Sequence, residues 1–376
     1  MKQVTILDLR DSPWVDGPGR TILDCASSLK EMQFNVVIGT FSGGQQATHA
    51  YAEEARRRTL PVRTIHERGR LDYRVVRQII EQIDTSNADI VHTHDFRSNM
   101  FGLLAARLRR KPIVTTVHGW IANDLKGQLY VTADKAILRF FDRVITVSER
   151  TRGLVERTWI APRKITVIPN ALKLAGYVPN RLADSFRREL GVNRDTILIA
   201  NIGRLSPEKG QIEFLQAARG LADRFENIKF VLIGVGPDQE KLERFVAENG
   251  LRAAVVFCGF RHDMINVYNS LDLVVQSSHT EGMPNVILEA LLMEVPAIAT
   301  DVGGTNEIID HERTGVLIRP GSVAEIVEKV AAYCLQPATY RAMAQHGRQF
   351  VSEHYDHRRR VEKLATLYED LLTPNR

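Results

Sequence analysis

The sequence predicts an α/β protein of two doubly wound parallel-sheet domains facing each other across a cleft. Three observations predict it. A chain of 376 residues is too long for one ordinary core and suits two of comparable size. Short apolar, β-branched runs alternate with longer amphipathic stretches throughout, the pattern of βα units whose sheets are covered on both faces. Between Asn170 and Val192 that rhythm is broken by Gly, Pro and Asn before a polar helix, which marks a linker. Hydrophobic residues at 44% and charged residues at 25% exclude the disordered, coiled-coil and fibrous classes.

The strands expected in the first half are Val4–Leu9, Asn35–Phe41, Val62–His66, Ala88–His94, Pro112–Gly119, Val144–Ser148 and Ile165–Pro169. Those of the second half are Thr196–Ile202, Lys229–Gly234, Val255–Phe260, Leu271–Ser278, Pro296–Asp301 and Gly315–Ile318. Two domains follow, 1–170 and 171–355. Beyond them, in 356–376, Val361, Leu364, Leu367, Tyr368 and Leu371 repeat at helical spacing and need a surface to cover, which the first domain is expected to supply.

Met1-Lys2-Gln3 leads directly into a strand, with no signal segment and no apolar run of membrane-spanning length. Any membrane contact is therefore expected to be peripheral. Cys25, Cys258 and Cys334 are odd in number and far apart, without C-x-x-C spacing, so a reducing cytoplasm is the expected compartment. Residues 1–170 carry 26 Lys and Arg against 18 Asp and Glu, whereas the remainder carries 24 against 27. The basic half, densest at Arg56, Arg57, Arg58, Arg107, Arg109, Arg110 and Lys111, reads either as a face for phosphates or an anionic membrane surface, or as solvated helix faces.

Four constellations could carry chemistry. Asp16-Gly17-Pro18-Gly19-Arg20 follows the first strand and precedes an amphipathic helix expected over Thr21–Met32, so its amides could meet an anion, or the glycines could simply make a turn. Ile22 stands where the G-x-G-x-x-G fingerprint has its third glycine, and the second strand ends in Thr40-Phe41 without an acid, which argues against a nicotinamide dehydrogenase. Thr280-Glu281-Gly282-Met283-Pro284-Asn285, running on to Glu289, follows a buried strand and opens a helix. Amides around Gly282 and Met283 suit a diphosphate oxygen, Pro284 suits a first helical turn, and Glu281 and Glu289 could accept from sugar and ribose hydroxyls. The plainer reading makes Glu281 an electrostatic cap and Glu289 a surface residue.

In Gly203-Arg204-Leu205-Ser206-Pro207-Glu208-Lys209-Gly210, a strand end places two cations five positions apart. No D-x-D occurs in the chain, so fixed charges and helix amides would have to neutralise a departing diphosphate, with no metal expected. Finally, His92-Thr93-His94-Asp95 and His118-Gly119 end strands of the first sheet, where open α/β folds bind substrates. Two histidines on one strand face, with no third ligand in evidence, make a weak zinc site.

Together these residues resemble the retaining glycosyltransferases of family four, of GT-B fold, with two Rossmann-like domains. The resemblance covers nearly the whole chain and rests on Gly17-Pro18-Gly19-Arg20, Thr116-Val117-His118-Gly119, Val167-Ile168-Pro169-Asn170, Gly203 to Gly210, Gly234-Val235-Gly236, and Glu281 to Ala290. It implies an N-terminal acceptor-side domain and a C-terminal domain for a UDP- or GDP-linked sugar. It also implies that Glu281 contacts the donor sugar, Glu289 the ribose, Arg204 and Lys209 the leaving diphosphate, and Phe260-Arg261 the base. His118 would lie beside the anomeric carbon, and Gly17 and Gly19 would shape the diphosphate and acceptor side. Gly234, Gly282, Met283, Pro284 and Asn285 complete the expected donor set, and Asp16, Arg20, His94 and Asp95 the acceptor set. Asp16 departs from the pattern, which commonly has glycine there; a carboxylate beside a diphosphate would repel it, so an acceptor hydroxyl is its expected neighbour.

The expected activity is metal-independent hexosyl transfer with retention, onto a glycan or lipid-linked acceptor of envelope or exopolysaccharide synthesis. No cofactor and no nucleic acid is implied. The alternatives are a nucleotide-sugar epimerase of the same architecture and a non-catalytic nucleotide-sugar binding subunit.

Overall fold

The structure is a computed structural model that describes residues 3–43, 49–69, 72–122, 124–180 and 182–373. Met1-Lys2 and the last three residues of the expected terminal segment lie outside the described residues. By contacts the chain divides into two units, Met1–Ala171 with His357–Arg376, and Leu172–Asp356.

The first unit holds seven parallel strands: β1 Val4–Arg10, β2 Phe34–Gly43, β3 Val62–Glu67, β4 Ile90–Thr93, β5 Ile113–Val117, β6 Arg143–Thr146 and β7 Ile165–Val167. Their spatial order is β3-β2-β1-β4-β5-β6-β7. The second holds six: β8 Ile197–Ile202, β9 Ile228–Ile233, β10 Val255–Phe257, β11 Leu273–Gln276, β12 Ala297–Thr300 and β13 Val316–Ile318, ordered β10-β9-β8-β11-β12-β13. Every expected strand is present, several with shortened ends. Pro112–Gly119 contracts to Ile113–Val117 because proline offers no ladder N–H and Gly119 turns away at φ 118°. In each sheet the strand order reverses beside the first strand, between β1 and β4 and between β8 and β11. Such switch points leave a crevice at the carboxyl edge.

The helix His357–Leu372 closes the first unit's core. Val361, Leu364, Ala365, Leu367 and Tyr368 pack with Ile6, Ile22, Leu23, Ile90, Val114 and Ile145. Arg360, 6% exposed, donates to the carbonyls of Ile168 and Pro169 at 2.6 and 2.5 Å. Leu172 and Asp356, where the chain enters and leaves the second unit, form a parallel bridge. Between Asn170 and Val192 the chain makes one short helical turn, Leu174–Gly176, and the helix Ser185–Glu189.

Much of the basic excess of the first unit is paired. Arg58 meets Asp24 and Glu54, Arg57 meets Glu54, Arg107 meets Asp142 and Arg109 meets Asp84. These four are therefore ion-paired surface side chains. Among the described residues no helix is long and apolar enough to cross a membrane.

Candidate active site

In the second unit, the loops after β8 and β11 flank the switch point. Lys209 ends a short helical turn, Pro207–Lys209, and donates to Glu281 Oε1 at 2.6 Å. Ser278 Oγ donates to the same oxygen at 2.7 Å. The side chains of the pair are 26% and 11% exposed, so the ammonium is the more exposed partner while the carboxylate lies deeper. Glu281 Oε2 accepts nothing among the described residues, and Lys209 has further N–H groups to give. Arg204 is exposed, with no side-chain partner among the described residues. The pair is held by a stiff frame. Ser277 Oγ donates to Gly210 O at 2.6 Å, Thr300 Oγ1 to Ser278 O at 2.6 Å, and Gly304 N to Gly282 O at 2.7 Å. Gly210 has φ 63°, and a Cβ there would collide with the Ser277 carbonyl, so only glycine lets the two loops approach.

The helix Asn285–Leu292 starts beside this pair, with Pro284, which has no capping side chain of its own, as N-cap. Gly282, Met283 and Pro284 are buried, Met283 to 5% exposure. One turn on, Glu289 is not the surface residue of the plainer reading. It is 5% exposed and accepts from Tyr177 Oη at 3.1 Å and Tyr268 Oη at 2.9 Å. Gly234 meets the other expected site residues through its backbone: with φ 139° its α-carbon abuts the Gly203 carbonyl just before Arg204. Arg261 is brought to a different set of partners. Its guanidinium is clamped by Glu189 and Asp263 and lies 5.1 Å from the Phe186 ring, and these carboxylates raise its pKa.

In the first unit the glycine segment differs from the loop expected of it. Gly17–Arg20 is already the first turn of the helix Gly17–Glu31. Asp16 is its N-cap and accepts from Gly19 N at 2.8 Å, while Pro18 presets the backbone of that turn. The other neighbour of Asp16 is the buried Arg10, which pairs with its Oδ1. Asp16 is thus a helix cap neutralised by arginine, and the Gly19 amide is already spent on it. Arg20 lies half-buried on the same turn. Asp95 likewise caps the helix Phe96–Leu108, accepting from Ser98 N at 3.0 Å, and it also takes Asp11 N at 2.7 Å. Burial, then the neighbouring Asp95, pushes the Asp11 carboxyl up to about 6.

The histidines form one cluster at the ends of β4 and β5. His118 Nε2 lies 3.2 Å from His94 Nδ1, and His94 Nε2 lies 3.1 Å from Asp8 Oδ2. His92 sits beneath, with Nδ1 at 2.6 Å from Tyr368 Oη and Nε2 at 2.8 Å from Thr116 Oγ1. Burial holds all three imidazoles well below the usual histidine pKa, and the same burial pushes Asp8 up to about 6. Asp8 supplies the third group that a zinc reading of the H-x-H pair lacked, with the donor atoms of Asp8, His92 and His94 within 4.8 Å of one another. Each ring nitrogen of His92 and His94 already has a protein partner, however, so both imidazoles are engaged in a hydrogen-bonded network, while Asp8 Oδ1 is buried with no hydrogen-bond partner among the described residues. A cavity of about 220 Å³ opens over His94, Asp95, Thr116 and His118. Its aromatic walls are Phe96 and Tyr130, stacked at 5.3 Å, and Trp120, which donates to Asp134 at 2.8 Å.

Two family profiles match consecutive parts of the chain: Glycosyltransferase Family 4 over residues 15–175 and Glycosyl transferases group 1 over residues 183–350. The chain belongs to the group 1 glycosyltransferases. This glycosyltransferase is 27% identical over 294 residues to the UDP-Gal:alpha-D-GlcNAc-diphosphoundecaprenol alpha-1,3-galactosyltransferase of Escherichia coli, covering 76% of each chain. It is 25% identical to the capsular polysaccharide biosynthesis glycosyltransferase CapM of Staphylococcus aureus, over 75% of this chain and 77% of that one. Its fold is that of Anabaena HepE, solved with UDP and glucose, at TM-score 0.87 and 22% identity over 98% of this chain and 100% of the other. The architecture is therefore GT-B, and the activity is glycosyl transfer.

Several residues of the candidate site escape sequence reasoning. Asp8 carried a signal, an acid inside the otherwise apolar run Ile6-Leu7-Asp8-Leu9 of a central buried strand. Ser278 stood at the end of its strand, three positions before Glu281. Tyr177, Tyr268 and Tyr368 could not have been found, because each meets its partner only through the tertiary fold.

Proposed function

We propose that this glycosyltransferase moves a hexose-type sugar, with retention and without a divalent ion, from a UDP- or GDP-linked donor to a glycan or lipid-linked acceptor of envelope or exopolysaccharide synthesis. The second unit holds the donor, and the first unit's carboxyl edge receives the acceptor. The observation that carries this is the Lys209–Glu281 pair at the β8/β11 switch point, with exposed Arg204 on the same loop as Lys209 and the start of the helix Asn285–Leu292 next to Glu281. As the glycosidic bond breaks, charge grows on the diphosphate, and fixed cations with helix amides stabilise it without reorganising. Glu281 Oε2 is left for a sugar hydroxyl, and Glu289, oriented by two tyrosines, for the ribose. Arg261, held by two carboxylates, lines the base loop through its backbone and stem. What is bound by HepE, and what the E. coli and S. aureus relatives make, support the donor class and the pathway class. Free thiols at Cys25, Cys258 and Cys334 fit a reducing compartment, at whose membrane a lipid-linked acceptor is met peripherally.

A thermal-shift panel of UDP- and GDP-sugars tests the donor class, since a ligand at about 100 times its Kd adds about 2.7 kcal/mol. One sugar nucleotide is expected to shift the melt, and turnover with it is expected to survive EDTA. Loss of activity on chelation, restored by magnesium or manganese, would overturn the metal-free reading. An epimerised sugar formed without any acceptor would overturn transfer itself.

A further inference from the structure

Three side chains from adjacent strands of the first sheet lie in one line: Asp8 on β1, His94 just past β4 and His118 just past β5. The separations are 3.1 Å from Asp8 Oδ2 to His94 Nε2 and 3.2 Å from His94 Nδ1 to His118 Nε2. The line ends at His118 Nδ1, a buried nitrogen with no hydrogen-bond partner among the described residues. His118 and His94 both line the 220 Å³ cavity.

The chemistry of a neutral imidazole fixes the direction of this line. An ionised Asp8 can only accept, so His94 carries its proton on Nε2 and offers a lone pair at Nδ1. His118 must then donate from Nε2, which leaves its Nδ1 as a lone pair. A buried acceptor without a donor costs about 1–3 kcal/mol and calls for an occupant. We propose that Asp8 and His94 are positioning residues that lock His118 in its Nε2–H form, so that Nδ1 accepts a hydrogen bond from the attacking hydroxyl of the acceptor.

This role rests on the acceptor-side reading of the first unit given above. His118 does not keep the proton. Burial, then His94 and the nearby Arg10 and Arg360, disfavours an imidazolium there. As the acceptor oxygen bonds to the anomeric carbon and the carbon–oxygen bond to the diphosphate breaks, the hydroxyl proton passes to the departing diphosphate. His118 aims the hydroxyl; the leaving group takes its proton.

The other groups that act on Asp8 and the two histidines are His92 on β4, Arg10 on β1, Cys25 and Tyr51 on the first two helices, and Arg360 and Tyr368 on the last. Of these, burial keeps His92 neutral and raises the Cys25, Tyr51 and Tyr368 pKa values, and the arginines stay charged, so Asp8 alone changes charge near pH 6. A protonated Asp8 would donate to His94 and reverse the line, placing a proton on His118 Nδ1.

The test uses the full chain with 15N-labelled histidine. Long-range proton–nitrogen correlation at pH 8 is expected to show His118 Nδ1 unprotonated and Nε2 protonated, and Asp8→Asn, whose amide can donate, is expected to reverse this. With octyl glycosides as acceptor probes, Asp8→Asn should lower transfer about tenfold, the worth of one aimed hydrogen bond, and leave donor hydrolysis and the donor thermal shift unchanged. His94→Phe, whose ring can neither donate to Asp8 nor accept from His118, serves as the second variant should Asp8→Asn fail to fold, with the same kinetic signature. A proton on His118 Nδ1 in the unmodified protein refutes the proposal, as does equal loss of transfer and hydrolysis in both variants. If the unmodified protein turns over no sugar nucleotide, the glycosyl-transfer reading fails and the acceptor role falls with it, whereas the nitrogen spectra still report the hydrogen-bond line by themselves.

Discussion

Lys209→Ala separates a charge that serves catalysis from one that serves the fold. The ammonium has three N–H donors and Glu281 Oε1 occupies one at 2.6 Å, so the remainder can reach a phosphate oxygen without the pair breaking. Removing one preorganised donor of developing charge costs about 3–4 kcal/mol of barrier, or turnover lowered about 100- to 1000-fold. The structural cost is smaller. Glu281, with its side chain 11% exposed, keeps the Ser278 hydrogen bond at 2.7 Å, so its stranded charge should take about 1–3 kcal/mol from stability. The assay is nucleotide diphosphate release at saturating donor, with sugar product resolved by chromatography and the fold followed by circular dichroism melts. Glu281→Gln completes a double-mutant cycle. If Lys209 acted only by orienting Glu281, adding Lys209→Ala to Glu281→Gln would cost nothing further; action on the diphosphate predicts a second drop of at least about tenfold. Turnover within threefold of the parent in Lys209→Ala would mean that the diphosphate sits elsewhere.

Three further outcomes are expected. Gly234→Ala puts a Cβ into the Gly203 carbonyl at φ 139° and should lower the second unit's stability by about 2–4 kcal/mol in urea titrations, with an unchanged midpoint counting against the packing described. Tyr268→Phe removes one of two phenol donors to buried Glu289; stability should drop by about 1–3 kcal/mol, and nucleotide affinity, read by calorimetry, by about tenfold. Acidification should destabilise the first unit. His92, His94 and His118 take protons near pH 6.5 only when unfolded, so their contribution is lost as pH falls, whereas Asp8 and Asp11, raised to about 6, bind protons when folded and offset part of that loss. The burial that lowers His49 and raises Asp95 and Asp134 adds to both sides of that balance, so denaturant titrations should show stability falling as pH drops through about 6.5, where the imidazoles dominate; stability that rises there on acidification would contradict it.

The parallel sheets were legible because each buried strand is a short β-branched run between turn residues, and the loops after β8 and β11 because their glycines and charges sit at fixed distances from those runs. The glycine segment is a helical turn rather than a loop for a physical reason. Asp16 followed by Gly17-Pro18 suits both a phosphate loop and a capped first turn, and the cap with its buried Arg10 partner shows only in the tertiary fold. Arg261 was placed by position in a loop, and no local pattern reveals Glu189, 72 residues away, as its partner. The plainer reading of Glu289 failed because the burial of a helix face depends on what packs against it, here Tyr177 and Tyr268.

The last helix also sets an order of assembly. Tyr368 seals His92 from 276 positions away, and Arg360 ties down the carbonyls at 168 and 169, so the unit that comes off the ribosome first is finished last. All strands of the second unit are available for folding while the earlier sheet still lacks one wall of its core. During synthesis, the nascent chain must shelter an incomplete amino-terminal sheet until the final turn of helix arrives, and the histidine cluster takes its final form only then.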